Sequence, residues 1–182
     1  MKVLSTQIGR EREVLWQGEP VKTGIFKEPV ESITIRKFYV EGDKVSDLTV
    51  HGGEDKSVYG YASEHYPYWR KEFPAMHMPW GTFGENITTE GLLEHSMIIG
   101  SVYRIGTALL QVTEPRLPCY KLAAKFNTVD IISRFMKSKK SGFYFTVIDE
   151  GIVKPGDSIT LEQMGDERHS IQDVVESYLH KG

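Results

Sequence analysis

The stretch Ser101-Val102-Tyr103-Arg104-Ile105-Gly106-Thr107-Ala108-Leu109-Leu110-Gln111-Val112 decides the fold class. Two short β-prone runs, 101–105 and 108–112, stand on either side of a turn signal at Gly106. The same pattern recurs in both directions, at 2–8, 32–38, 57–61, 142–147 and 158–161. Turn signals separate these runs: Gly42-Asp43, Gly52-Gly53, Gly100, Gly151 and Pro155-Gly156-Asp157. Many short strands with glycine-rich turns predict a mainly β chain, a barrel or a sandwich. The strand–helix alternation of a parallel α/β fold is absent.

Helical patches interrupt the strands. Residues 63–73 carry aromatics and mixed charges, with Pro67 tolerable in a first turn. Residues 121–126 and 130–139 read as one or two helices. In the second, Asp130 is the expected cap and Ile131, Ile132, Phe135 and Met136 form an apolar stripe. Residues 170–180 form an amphipathic helix. Ser170 caps it, Asp173 sits at the capping-box position, and Ile171, Val174, Val175, Tyr178 and Leu179 share a face. That face must dock on its own barrel or on a second copy, so a homodimer is an open expectation. No repeat or linker appears before about residue 162, which divides the chain into a β domain at 1–164 and a helical tail at 165–182.

The 182 residues, 40% hydrophobic and 26% charged, describe one ordinary globular domain. A net charge of −3 gives no electrostatic case for nucleic acid or an anionic membrane. No apolar run reaches the length of a membrane helix, and Met1-Lys2-Val3-Leu4-Ser5 lacks the apolar stretch of a signal peptide. Cytoplasmic location is therefore expected.

Cys119 is the one cysteine, in Thr113-Glu114-Pro115-Arg116-Leu117-Pro118-Cys119-Tyr120. A lone thiol cannot form an intrachain disulfide, a four-thiolate zinc site or a thiolate-ligated iron–sulfur cluster. It remains a buried small hydrophobe, a nucleophile, a sulfur carrier or a single thiolate ligand. Taken alone, packing is the commonest use of such a residue. Arg116 suits bidentate contact with phosphate or carboxylate and stabilises a nearby thiolate.

Two further stretches could carry chemistry. In Asp47–Tyr59, the pair Gly52-Gly53 makes a turn that a ligand can approach, and Lys56 adds charge; taken alone, an ordinary hairpin turn with solvated charges is the commoner explanation. In 81–91, Asn86 could read a heterocycle through its amide, or simply support a loop. The six histidines make no metal motif; Cys119 with the distant His51 is formally compatible with a nucleophile pair. No Walker loop and no G-x-G-x-x-G is present.

In order along the chain, His51-Gly52-Gly53-Glu54-Asp55-Lys56-Ser57-Val58-Tyr59, Gly84-Glu85-Asn86-Ile87-Thr88, Ile99-Gly100-Ser101-Val102-Tyr103-Arg104-Ile105-Gly106 and Pro115-Arg116-Leu117-Pro118-Cys119 resemble the MOSC domain, and within it the bacterial YiiM-like branch. The likeness covers roughly 1–161. It implies a closed or partly closed β-barrel with small flanking helices. It also implies a bound molybdenum cofactor (molybdopterin) with Cys119 as the protein's thiolate ligand to the metal. Gly52, Gly53, Lys56, Glu85, Asn86, Thr88 and Arg116 become the expected cofactor-binding residues. Cys119, His51 and Asp55 become the expected catalytic ones, with Glu85 a further proton source. Pyridoxal phosphate is not expected.

The implied activity is reduction of small N-hydroxylated compounds of the hydroxylaminopurine kind. A separate electron-donor protein is implied as well, since no cysteine remains for an iron–sulfur cluster and no flavin fingerprint is visible. YiiM-like chains usually continue into a three-helix domain, of which only residues 170–180 are long enough to be a helix here. Two other readings stay open: a non-redox sulfur carrier holding a persulfide on Cys119, and a structural or regulatory domain.

Overall fold

The computed structural model describes residues 1–44, 53–165 and 169–180. Its strands are β1 (Lys2–Gly9), β2 (Arg12–Trp16), β3 (Glu19–Thr23), β4 (Lys27–Val30), β5 (Ile33–Arg36), β6 (Tyr39–Val40), β7 (Val58–Ala62), β8 (Ile87–Glu90), β9 (Val102–Ile105), β10 (Ala108–Pro115), β11 (Phe143–Asp149), β12 (Gly151–Val153) and β13 (Ile159–Gln163). Its helices are α1 (Tyr66–Glu72), α2 (Tyr120–Phe126), α3 (Asp130–Ser138) and α4 (Ile171–Leu179).

Eight strands form one mixed sheet in the order β13-β9-β10-β11-β7-β8-β1-β4. All neighbours are antiparallel except β7 and β8, whose parallel pairing is permitted by the long crossover through α1. The strands 101–105 and 108–112 are the hairpin β9–β10.

Among the described residues the sheet curls without closing into a barrel, which corrects the closed form of the barrel expectation. β4 covers only the far half of β1, pairing from Thr6 to Gly9. The near half meets the start of β13 instead: Lys2 bridges Ser158, Val3 N–H donates to the Asp157 carbonyl (2.9 Å), and Ile159 N–H donates to the Met1 carbonyl (3.0 Å). The two ends of the sheet touch at a corner rather than along a ladder.

The period-two alternation of strands sorts residues onto two faces. Val58, Leu110, Val112, Phe145 and Val147 line an aliphatic core. Tyr59, Tyr61 and Tyr144, offset by one residue, line an aromatic core with Trp69, Phe83 and Phe135 that α1, α2 and α3 cover. Gly60 lies between the two tyrosines because a Cβ there would stand 2.5 Å from the Phe143 ring.

Local reasoning held for α4. Ser170 caps it in a full capping box with Asp173, Ile171 joins the aliphatic core and Val175 is buried, while Tyr178, expected on the same docked face, is exposed. Asp130, expected as a cap, is instead inside the first turn of α3, with Val129 at the cap position. The hairpin β2–β3 was not anticipated. It turns on Gln17 and Gly18, both at positive φ, the conformation a tight two-residue hairpin loop requires.

Candidate functional site

β10 carries the chain past Pro115 to Arg116, and Pro118 prevents the strand from continuing. Cys119 follows at the N-cap of α2, in extended backbone (φ −127°, ψ 171°). Its carbonyl accepts the Leu122 and Ala123 amides, but its side chain makes no cap bond. The thiol is half-exposed and in no disulfide. Leu117 and Tyr120 on either side are exposed.

Arg116 points inward and is only 4% exposed. Its guanidinium donates to the Phe83 carbonyl and lies 5.1 Å from the Tyr59 ring centre and 5.8 Å from that of Phe135. Burial works against its charge. The phenol oxygens of Tyr59 and Tyr144 and the Cys119 sulfur outweigh that, so its pKa rises and it stays a cation. Among the described residues no carboxylate lies within ion-pair distance of it.

The turn at Gly53 reaches the same end of β10. Gly53 (φ +90°) leads into a tight turn at Glu54–Lys56. The Asp55 carbonyl accepts from the Thr113 hydroxyl (2.6 Å), and Lys56 pairs with Glu114 at 3.4 Å. The Asp55 side chain is exposed. His51 and Gly52 lie outside the described residues.

The loop 84–88 arrives from the other side. Glu85 is fully buried and accepts from the Tyr66 hydroxyl, the Gly81 amide (2.8 Å), the Phe83 amide (3.1 Å) and the Thr88 hydroxyl (3.0 Å). Asn86 accepts the Tyr59 amide (3.2 Å) and donates to Asp43 (2.9 Å) and to the Gln7 carbonyl (3.4 Å). Thr88 also accepts from Gln7 (3.1 Å). The amide of Asn86 and the carboxylate of Glu85 are thus engaged inside the protein, where they brace Tyr59 and Phe83, the two residues that hold Arg116.

Two groups escaped the sequence reading. Lys125, on α2, donates to the Ile25 and Gly81 carbonyls, both at 3.0 Å. Burial, with Arg116 and Lys27 nearby, lowers its pKa to about 7 against the pull of Glu85. His65 and Glu94 form a buried pair at 2.6 Å, with Glu94 also accepting the Gly142 amide (2.7 Å). No sequence signal links residues 29 positions apart. Among the described residues no group of three or more His, Cys, Asp or Glu could hold a metal ion, and no helix is long and apolar enough to cross a membrane.

The chain is similar in sequence and fold to several known proteins. The YflK protein of Bacillus subtilis, uncharacterized, is 40% identical over 171 residues, covering 93% of this chain and 77% of that one. YiiM of Escherichia coli is 39% identical over 140 residues, covering 75% of this chain and 62% of that one. A protein of Gibberella moniliformis named reductase is 31% identical over 163 residues, covering 87% of this chain and 29% of that one. The crystal structure of YiiM from Geobacillus stearothermophilus superposes with a TM-score of 0.81 at 34% identity, covering 99% of this chain and 84% of that one. The MOSC domain profile matches residues 47–160, which span the Gly53 turn, the 84–88 loop and Cys119. The profile match and these relatives show that the chain belongs to the MOSC domain family.

Proposed function

We propose that this protein is a molybdenum-cofactor-binding oxidoreductase that reduces small N-hydroxylated compounds with electrons from a separate reductase. One observation carries the reading: the sole, half-exposed thiol stands beside a buried guanidinium that has no carboxylate partner among the described residues. A buried cation in that state favours an anion next to it, and the nearest candidate is the Cys119 thiolate. A metal already held by two pterin sulfurs needs one more from the protein, and one accessible thiolate is the donor these residues offer. The residues therefore fit the group at its sulfur ligand. Lys56 and the Gly53 turn, on the same end of β10, supply charge and backbone N–H groups for an anionic tail.

Bound there, the cofactor would deliver the electrons for cleaving the N–O bond. The reaction takes two electrons and two protons per hydroxylamine and yields an amine and water. The chain's part is to hold the sulfur ligand, screen it and supply protons. Asp55, exposed on the turn, and His51 are the proposed proton sources. A relative named reductase, of whose length this chain covers 29%, is in keeping with redox chemistry.

The test is expression in a cofactor-competent host with molybdenum stoichiometry as readout. We expect about one metal per chain, none in Cys119→Ser, and turnover of an N-hydroxylated base with reduced viologen but not with NADPH. Transferable sulfane sulfur without molybdenum would replace this reading by that of a sulfur carrier.

A further inference from the structure

Cys119 follows Arg116 by three residues, at the N-cap of α2; the Arg116 guanidinium stands 5.1 Å from the Tyr59 ring centre, and the charge of Cys119 is felt at both Arg116 and Tyr144. From Tyr144 a series of rings runs inward along one face of the sheet. Tyr144 on β11 stands opposite Tyr59 on β7, ring centres 5.1 Å apart. Tyr59 to Tyr61 is 6.3 Å, the two sharing a face because they are two residues apart on one strand. Tyr61 to Tyr66 is 5.9 Å. The series ends where the Tyr66 hydroxyl donates to the buried carboxylate of Glu85.

We propose that this ladder is a route for oxidising equivalents, draining a one-electron oxidation of Cys119 to the Tyr66–Glu85 pair. The step balances. A thiyl radical on Cys119 gains one electron and becomes the thiolate. Tyr66 loses that electron, and its phenolic proton passes to the Glu85 carboxylate, leaving a neutral tyrosyl radical and a carboxylic acid. The oxidant is any one-electron species that makes the thiyl, such as a peroxyl radical.

Electrostatics sets the direction. An oxidised phenol is a far stronger acid than a carboxylic acid, so it needs only a base within hydrogen-bond reach. Tyr59 donates to a backbone carbonyl, that of Ser141 (2.7 Å), a far weaker base. The Tyr61 oxygen accepts from the Trp69 indole (2.6 Å), which disfavours positive charge there. Cations lie at both ends of the series, Arg116 beside Tyr144 and Tyr59 and Arg70 5.5 Å from the Tyr66 ring centre, so it is the proton acceptor that distinguishes the ends. Tyr66 alone of the four has a carboxylate acceptor among the described residues. Burial pushes its pKa well up, as it does for Tyr59 and Tyr61, so at neutral pH all three are phenols and their oxidation must release a proton.

The inference does not depend on the cofactor, and a sole cysteine makes the test site-specific. Cys119 is S-nitrosated in the full chain and frozen. Illumination then breaks the S–N bond into thiyl and nitric oxide, and the sample is annealed under electron paramagnetic resonance. The thiyl signal should give way to a tyrosyl signal, identified with ring-deuterated tyrosine. Tyr66→Phe and Glu85→Gln should each cut that signal about tenfold, the scale of one hydrogen bond to a charged group, whereas Tyr68→Phe should leave it intact. In the unsubstituted chain the largest g-value should be depressed by the hydrogen bond from the newly formed Glu85 acid, a readout that needs no variant to fold. Absence of a tyrosyl radical, an undepressed g-value, or an equal signal in folded Tyr66→Phe overturns the proposal.

Discussion

Arg116 lies with its guanidinium 5.1 Å from the ring centre of Tyr59, so the cation beside Cys119 is held by aromatic walls and a carbonyl rather than by a carboxylate. Its charge is therefore not neutralised by an ion pair among the described residues. It acts on the thiol and on the tyrosines around it.

Replacing this cation should slow thiol chemistry. Arg116→Met is expected to reduce the rate of Cys119 alkylation by iodoacetamide at neutral pH by roughly tenfold, since a neighbouring cation favours the reactive thiolate. Arg116→Lys should fall between the two, since a point charge replaces a planar fork. Equal rates in wild type and folded Arg116→Met would show that the guanidinium does not govern the thiol.

Lys125 predicts a pH dependence of stability. Its folded pKa, about 7, lies below the unfolded value of 10.5, so between these values the unfolded chain binds more protons. Stability should rise with pH across that window, and the cost of charging a half-buried ammonium should be fully present below it. Lys27, lowered in the same direction chiefly by burial, contributes with the same sign. In Lys125→Met the rise should flatten, and proton uptake on unfolding near pH 8.5 should drop by about one. Parallel stability curves for the two proteins would remove Lys125 as the source.

The His65–Glu94 pair should matter for stability. Both side chains are under 9% exposed, and His65→Ala leaves the Glu94 carboxylate buried with one partner fewer. A loss of about 3 kcal/mol is expected, read as a lower urea midpoint with unchanged slope. His65→Gln, which can still donate, should lose less.

The cap of α4 gives the smallest of the expected effects. Ser170→Ala removes the acceptor of the Asp173 amide and should cost about 1 kcal/mol. Asp173 is held below its ordinary pKa by the Ser170 amide and then its hydroxyl, so its contribution is present above the carboxylate range and is lost on acidification. Thermal unfolding of the variant at pH 7 should fall below that of wild type, and equal midpoints would remove the cap as a source of stability.

What could be read locally was read from neighbours in one element. The β9–β10 hairpin announces itself through two β-prone runs around Gly106, and the α4 cap through Ser170 and Asp173, because both signals act over two to three residues. The ordered family words located Cys119, Arg116 and the 84–88 loop for the same reason: each word is a contiguous stretch. Their meeting is another matter. Arg116 touches Phe83 across 33 positions and Tyr59 across more, and only the sheet order β10-β11-β7 brings them together.

The amino-acid sequence by itself determined the β-rich class, the positions of most of the larger strands, the N-terminal cap of α4 and the place of the sole thiol. Tertiary structure decided that the sheet curls without closing, because β4 covers only half of β1. It also decided that Glu85 and Asn86 brace the walls around Arg116, and that four tyrosines form one series ending on a carboxylate. Those outcomes depend on contacts between strands far apart in the chain. Such contacts are chosen by which faces can be buried together, and no short stretch of residues encodes them.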